Sequence, residues 1–156
     1  MAVAFAAAAS SCDHLDDDRI PTAPVNIVFA TSADWDVYGV AGAMRYKYFI
    51  RDTRQPSDFP YTATTFTGFG GVLLLSDVLG NPQAYDLACP VERKRDVRVR
   101  IKPDDEYLAE CEECHSKYNV FSLTGHPVSG PAASKGYALR RYSVGAKGTN
   151  YMVVSY

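Results

Sequence analysis

The sequence lacks the features by which several functional classes are recognised. Its 16 lysines and arginines do not outnumber its 18 aspartates and glutamates, so no basic excess indicates nucleic-acid binding. The apolar run at residues 1–12 is too short to span a bilayer. No serine, histidine and aspartate triad and no catalytic carboxylate pair can be identified from residue spacing. The sequence therefore favours no enzyme class.

What the sequence does contain is typical of a β protein. Its 11 tyrosines and 7 phenylalanines, together with many valines and threonines, favour strands over helices. Residues 97–101 alternate apolar and basic side chains with period two, as in a strand with one face in the core. No segment predicts a helix longer than a turn or two. We therefore predict one all-β domain, large enough to bury a core without disulfides or metals to stabilise it.

The strands are predicted from apolar alternation and from the glycine and proline turns between them. The predicted strands are 25–29, 35–40, 62–67, 72–75, 84–88, 97–101, 107–109, and a terminal hairpin that pairs 137–144 with 151–154. Basic and aromatic residues interleave over 41–51, which we interpret as a strand between core and solvent and not as a nucleic-acid surface. Residues 133–136 are predicted to form a turn.

Three of the four cysteines form the most informative pattern. Cys111 and Cys114 are separated by two residues in a predicted loop between strands, so both sulfurs can turn toward one point. That arrangement is what a shared metal ion or a redox pair requires. One such pair supplies half of a zinc-ribbon or ferredoxin site, and Cys89 is the cysteine we expect to contribute to the rest.

The order of the motifs around these cysteines resembles the Rieske iron–sulfur domain. The matching motifs are Cys89-Pro90, Cys111-x-x-Cys114 followed by Ser116, Tyr118 and Asn119, then Ser129-Gly130-Pro131-Ala132, and finally the segment 139–142. The resemblance covers residues 68–156. It implies an antiparallel β-sandwich or barrel with a small cluster-binding subdomain formed by two hairpin loops, and it implies electron transfer. Residues 25–67 have no counterpart, and we expect them to add strands to the Rieske-like core.

The ligands depart from the family pattern. A Rieske centre has two cysteines on one iron and two histidines on the other. By the resemblance, Val91 and Cys114 stand where the histidines are expected, and His115 replaces the glycine that follows. Valine cannot bind a metal, so the usual cluster cannot form in its usual way.

Three interpretations of this site stay open. The resemblance places Cys89 and Cys111 on the same iron, so without metal they would lie close enough for a disulfide in an oxidising compartment. Alternatively, the three thiolates bind zinc, with a fourth ligand from His115, Glu92 or water. In the third interpretation, a remodelled [2Fe–2S] centre retains Cys89, Cys111 and Cys114 with a substitute ligand. A protein without metal also fits the sequence, and His115 is then a surface-loop histidine.

The N-terminal segment is similar to a bacterial lipoprotein signal. The small apolar residues at 1–12 end in Cys12, which would become the lipidated first residue of the mature protein, although no basic residue precedes the run. The alternative is a frayed, alanine-rich terminus. The acidic run that follows resembles the export signal of surface lipoproteins of the Bacteroidetes. With Pro21 and Pro24, it predicts a solvated, semi-rigid tether over 13–24.

These observations predict a lipoprotein of the cell envelope, anchored by Cys12 in the outer membrane, with a Rieske-like β domain at 25–156. The predicted role is structural or binding, as an accessory of a larger outer-membrane assembly. The alternative is an electron-transfer protein with a remodelled [2Fe–2S] centre. Nothing in the sequence supports catalysis.

Overall fold

The computed structural model describes residues 15–122, 125–147 and 150–154. Within these residues the chain forms two antiparallel sheets and two short helices, which confirms the predicted all-β class. The predictions for residues 1–12, including the lipidated Cys12, lie outside the described residues. Neither described helix is long and apolar enough to cross a membrane.

The elements follow one another along the chain in a simple order. They are β1 (Val25–Phe29), α1 (Ser32–Tyr38), β2 (Tyr46–Phe49), β3 (Phe66–Thr67), β4 (Val72–Ser76), β5 (Pro82–Asp86), β6 (Val99–Lys102), β7 (Leu108–Cys111), β8 (Lys117–Asn119), β9 (His126–Ser129), α2 (Gly130–Lys135), β10 (Arg141–Lys147) and β11 (Asn150–Val154). The larger sheet has the strand order β2-β4-β5-β10-β11-β1-β3 and curls into a half-barrel. The smaller sheet has the order β6-β7-β8-β9.

Two apolar cores follow from this arrangement. One lies beneath β1 and β11 and contains Phe29, Trp35 and Phe49. The other joins the two sheets, with Leu73 and Leu87 from the larger sheet's side. It also holds the buried side chains of Val99, Cys89, Cys111 and Tyr118. The cysteines that the sequence singled out therefore lie where the two sheets meet.

The prediction of a strand over residues 35–40 is wrong, because α1 occupies most of this segment. Thr31 forms a capping box with Asp34: the Thr31 hydroxyl accepts from the Asp34 amide at 3.1 Å, and the Asp34 carboxylate accepts from the Thr31 amide at 3.0 Å. Trp35 packs edge-on against Phe29, with ring centroids 5.1 Å apart. The capping box and the burial of the Trp35 ring therefore favour a helix here, although the alternation of apolar and polar residues alone predicted a strand.

The predicted turn at 133–136 is also wrong, since most of it belongs to α2. Pro131 lies in the first turn of this helix, where its missing N–H costs nothing. Gly136 ends the helix with φ 67°, the left-handed conformation that glycine adopts readily at this position. A helix of six residues with this sequence gives no periodic signal that could have revealed it.

The tether predicted over 13–24 does not stand free over residues 15–24. Asp16 pairs with the chain after α2: its amide donates to the Gly136 carbonyl at 2.8 Å, and its carbonyl accepts from the Ala138 amide at 2.9 Å. Ile20 is 4% exposed, and the Asp18 carboxylate contacts Arg140. Backbone pairing and one buried isoleucine therefore hold this segment against the β domain.

Candidate metal centre

Two hairpin loops from different parts of the fold form the site. Cys89 lies in the loop between β5 and β6, and its amide donates to the Val97 carbonyl at 3.0 Å. Cys111 ends β7, and its amide donates to the Ser116 carbonyl at 3.0 Å, which closes the tip between β7 and β8. Cys114 lies within that tip. The predicted meeting of two cysteine-bearing loops is therefore observed.

The three sulfur atoms lie close together. The Sγ atoms of Cys89, Cys111 and Cys114 are all within 4.8 Å of one another, and the Cys89 and Cys114 sulfurs are 3.6 Å apart. A tetrahedral zinc ion with zinc–sulfur distances of about 2.3 Å sets its sulfurs about 3.8 Å apart. Cys89 and Cys111 are fully buried and Cys114 is partly exposed. The sulfur spacing therefore suits a single ion near the surface on the Cys114 side.

The two loops have the same backbone conformation, and we call them the first knuckle (residues 89–93) and the second knuckle (residues 111–115). In each, the amide of the fifth residue donates to the carbonyl of the cysteine at the first position, at 2.8 Å for Arg93 and 3.1 Å for His115. Both fifth residues adopt the left-handed conformation, with φ 56° and 54°. The shared geometry shows that the two cysteines occupy equivalent positions.

Backbone N–H groups of the knuckles point at the cysteine sulfurs. The amides of Val91 and Glu92 donate to Cys89 Sγ, and those of Glu113 and Cys114 donate to Cys111 Sγ. Such donors stabilise a thiolate more than a neutral thiol. A hydrogen bond from Cys111, together with these amides, lowers the pKa of Cys89. The same bond, together with burial, raises the pKa of Cys111.

Two buried hydroxyl groups complete the surroundings of the sulfurs. The Tyr118 hydroxyl lies 3.7 Å from Cys89 Sγ, and Ser116 Oγ lies 3.2 Å from Cys114 Sγ. Ser116 also accepts from the Ala132 amide at 3.0 Å, which fixes its position. Burial raises the pKa of Tyr118, so its hydroxyl remains a donor. Donors are therefore directed at the Cys89 and Cys111 sulfurs, whereas the Cys114 thiol donates to Ser116 Oγ. Several thiolates together require a cation to compensate their charge.

The other predicted ligands do not join the sulfurs in this structure. The His115 side chain is 73% exposed, and its Nδ1 lies 3.0 Å from Glu110 Oε1. The Glu92 carboxylate lies 3.9 Å from Lys94 Nζ. Within the described residues, the group that converges comprises the three cysteines alone. These cysteines are free thiols here, and the Cys89–Cys111 disulfide stays a prediction.

Sequence reasoning missed Asp86, which anchors the start of the first cysteine loop. Its fully buried carboxylate accepts from the amides of Phe69 at 2.9 Å, Gly70 at 3.0 Å and Ala88 at 2.7 Å. The Tyr142 hydroxyl donates to it at 2.5 Å. Burial raises the pKa of Asp86, and the four donors oppose that shift. The only local signal was one acidic residue at the end of an apolar strand.

Comparison with protein-family models, with curated proteins and with solved structures gave no match. The resemblance to the Rieske family therefore stays a prediction from the order of the motifs.

Gly130 controls how closely α2 approaches the second knuckle. It adopts φ 76°, and a Cβ there would lie 2.8 Å from Ser116 Cα. We expect Gly130→Ala to lower the free energy of unfolding by about 2–3 kcal/mol through left-handed strain and the clash, as measured by urea denaturation. Gly42→Ala is the matched control, because Gly42 has φ 91° and a Cβ there would meet nothing within 4 Å. Equal losses in the two variants would show that the contact with Ser116 is unimportant.

Proposed function

We propose that this protein is a metal-binding β domain in which Cys89, Cys111 and Cys114 hold one thiophilic divalent ion, zinc in the first instance. The observation that supports this most strongly is the convergence of three sulfurs within 4.8 Å, two of them fully buried. Thiolates are the ligands that select zinc and other soft ions. The proposed ion has a structural role, because its ligands come from loops on both sides of the junction between the sheets.

A single ion fits this geometry better than a two-iron cluster. In a [2Fe–2S] centre the protein ligands are divided between two irons, so ligands on different irons are held apart. Here the Cys89 and Cys114 sulfurs, which would belong to different irons by the Rieske pattern, are only 3.6 Å apart. The alternative of an electron-transfer protein with a remodelled cluster therefore has less support.

The smaller sheet is the part of the fold that would gain most from the ion. Its strands are three or four residues long. Short strands of this kind depend on packing against other elements for their stability. Because a folded site binds metal and an unfolded chain does so poorly, the binding energy adds to the stability of the fold. The ion would therefore fasten β7 and β8 to the loop that leaves β5.

Metal analysis of the full chain, purified without exposure to air, tests the proposal. We expect about one zinc ion per chain, no visible colour and three thiols protected from alkylation until zinc is removed. Iron with visible absorption would instead support the electron-transfer alternative. A chain that takes up no zinc on reconstitution, with all its thiols reduced, would refute the proposal.

We further propose that the domain acts at the cell envelope, anchored through lipidated Cys12 as an accessory of an outer-membrane assembly. The support is the small apolar run that ends at Cys12. Since residues from 15 onward pack on the domain, the anchor would hold the domain within about 10 Å of the bilayer surface. Mass spectrometry of membrane-extracted protein is expected to show acyl chains on Cys12. A soluble chain with an unmodified Cys12 would reject the anchor.

A further inference from the structure

The equivalence of the two knuckles extends to their fourth positions. Cys89 and Cys111 occupy the first position, and Arg93 and His115 occupy the fifth with nearly identical φ angles. In the second knuckle the fourth residue is Cys114, whose sulfur joins the other two. In the first knuckle the fourth residue is Glu92. The backbone therefore places Glu92 where its counterpart supplies a ligand.

The burial of the loop residues agrees with this equivalence. Both fourth residues, Glu92 and Cys114, are intermediate in exposure, whereas both fifth residues are exposed. The two other acids in the knuckles, Glu112 and Glu113, are exposed. Glu92 is thus the knuckle carboxylate that faces partly inward, with 25% of its side chain exposed.

We propose that the Glu92 carboxylate is the fourth ligand of the ion, so that the loaded centre has three thiolates and one carboxylate. This inference rests on the proposed function. In the present structure Glu92 faces Lys94 Nζ at 3.9 Å, and rotation about its side-chain bonds exchanges this contact for the ion. Lys94 is largely exposed and the two atoms are at the distance limit of an ion pair, so this contact contributes little to stability and is readily given up. Carboxylates are common zinc ligands, with zinc–oxygen distances of about 2.0–2.2 Å.

The charge around Glu92 suits a centre with four anionic ligands. Three thiolates and a carboxylate around a divalent ion leave two net negative charges. Arg93, Lys94 and Arg95 follow Glu92 directly in the chain, and the Lys94 ammonium lies beside the Glu92 carboxylate at 3.9 Å. The competing donor, His115, occupies the exposed fifth position and pairs with Glu110. The first knuckle therefore offers the better fourth ligand.

Cobalt(II) is the probe for the test, because its thiolate charge-transfer absorption reports the number of bound sulfurs. We expect wild type to show this absorption with three thiolates, and Glu92→Gln to retain it while binding cobalt at least tenfold more weakly. Glu92→Cys should raise its intensity by about a third, as expected for a four-thiolate site, and should tighten binding. The matched control is Glu112→Gln, since Glu112 is an exposed acid of the second knuckle, and this variant should match wild type.

The outcomes separate the two proposals. If wild type binds cobalt through thiolates but Glu92→Gln binds as tightly as Glu112→Gln, Glu92 is not a ligand and the proposed metal site still stands. If Glu92→Cys shows no added sulfur absorption, position 92 does not face the ion and the inference is wrong. If wild type shows no thiolate–cobalt absorption at all, the metal site and the fourth ligand are both refuted.

Discussion

Replacing Cys111 by serine is expected to abolish tight zinc binding and the stability that zinc confers. Cys111 is fully buried, receives two backbone N–H groups and lies in contact with Cys89, so its sulfur is central to the group. A neutral hydroxyl is a poor substitute for a thiolate at zinc. At zinc concentrations 100 times the dissociation constant, wild type should gain about 2.7 kcal/mol of unfolding free energy, and Cys111→Ser should gain almost none.

The measurement is urea unfolding with and without zinc, for wild type, Cys111→Ser and Cys12→Ser. Cys12 lies outside the described residues, and the proposal gives it no part in the metal site. Cys12→Ser should therefore keep the full zinc-dependent gain. Serine at 111 also leaves a cavity and a changed polar group, so each variant is compared with itself at zero zinc. A full zinc-dependent gain in Cys111→Ser would contradict the proposed site.

Replacing Asp86 by alanine is expected to cost about 3–4 kcal/mol of unfolding free energy, the largest loss predicted for a single non-cysteine change. The substitution leaves the buried donors of Phe69, Gly70 and Ala88 without an acceptor, and each such group is costly. Tyr142→Phe removes one donor while three remain, so about 1–2 kcal/mol is expected.

Asp77→Ala is the matched control for this prediction. Asp77 also accepts backbone hydrogen bonds, from Leu79 at 2.9 Å and Asn81 at 2.8 Å, but it lies at an exposed turn. Water can satisfy its donors when the carboxylate is removed, so the loss should be clearly smaller than for Asp86→Ala. Equal losses in the two variants, measured by urea denaturation, would show that burial of the Asp86 network does not matter.

The strands and the meeting of the cysteines were open to prediction because their signals are local. β1 and β4 follow short apolar runs between turns, and the hairpin of β10 and β11 follows alternation across a glycine turn. Cys111 and Cys114 have two residues between them at a hairpin tip, so their convergence could be expected from spacing alone. The position of Cys89 beside them was implied by the resemblance to the Rieske family.

The missed features depend on partners distant in sequence. Asp86 binds the amide of Phe69, 17 residues earlier, and the hydroxyl of Tyr142, 56 residues later. The segment around Asp16 pairs with the chain at Tyr137, which no local pattern could indicate. In contrast, the signal for α1 is local, since its capping box of Thr31 and Asp34 lies directly before the segment for which alternation predicts a strand. Buried polar contacts of this kind become visible only when the fold is known.

The fourth ligand, too, could not be chosen from the local sequence. Spacing leaves His115, Glu92 and water as alternatives. The left-handed conformation of His115 and of its counterpart Arg93 assigns His115 to the outward fifth position of its knuckle. Backbone angles therefore favour Glu92, and these angles could not be derived from the residue types, since a positive φ is uncommon for any residue other than glycine.

X-ray absorption spectroscopy of the zinc-loaded full chain tests the central claim most directly. We predict a zinc ion with three sulfur neighbours at about 2.3 Å and one oxygen neighbour at about 2.0–2.2 Å. A zinc ion surrounded only by nitrogen and oxygen, or by no more than one sulfur, would contradict the convergence of Cys89, Cys111 and Cys114 on one metal.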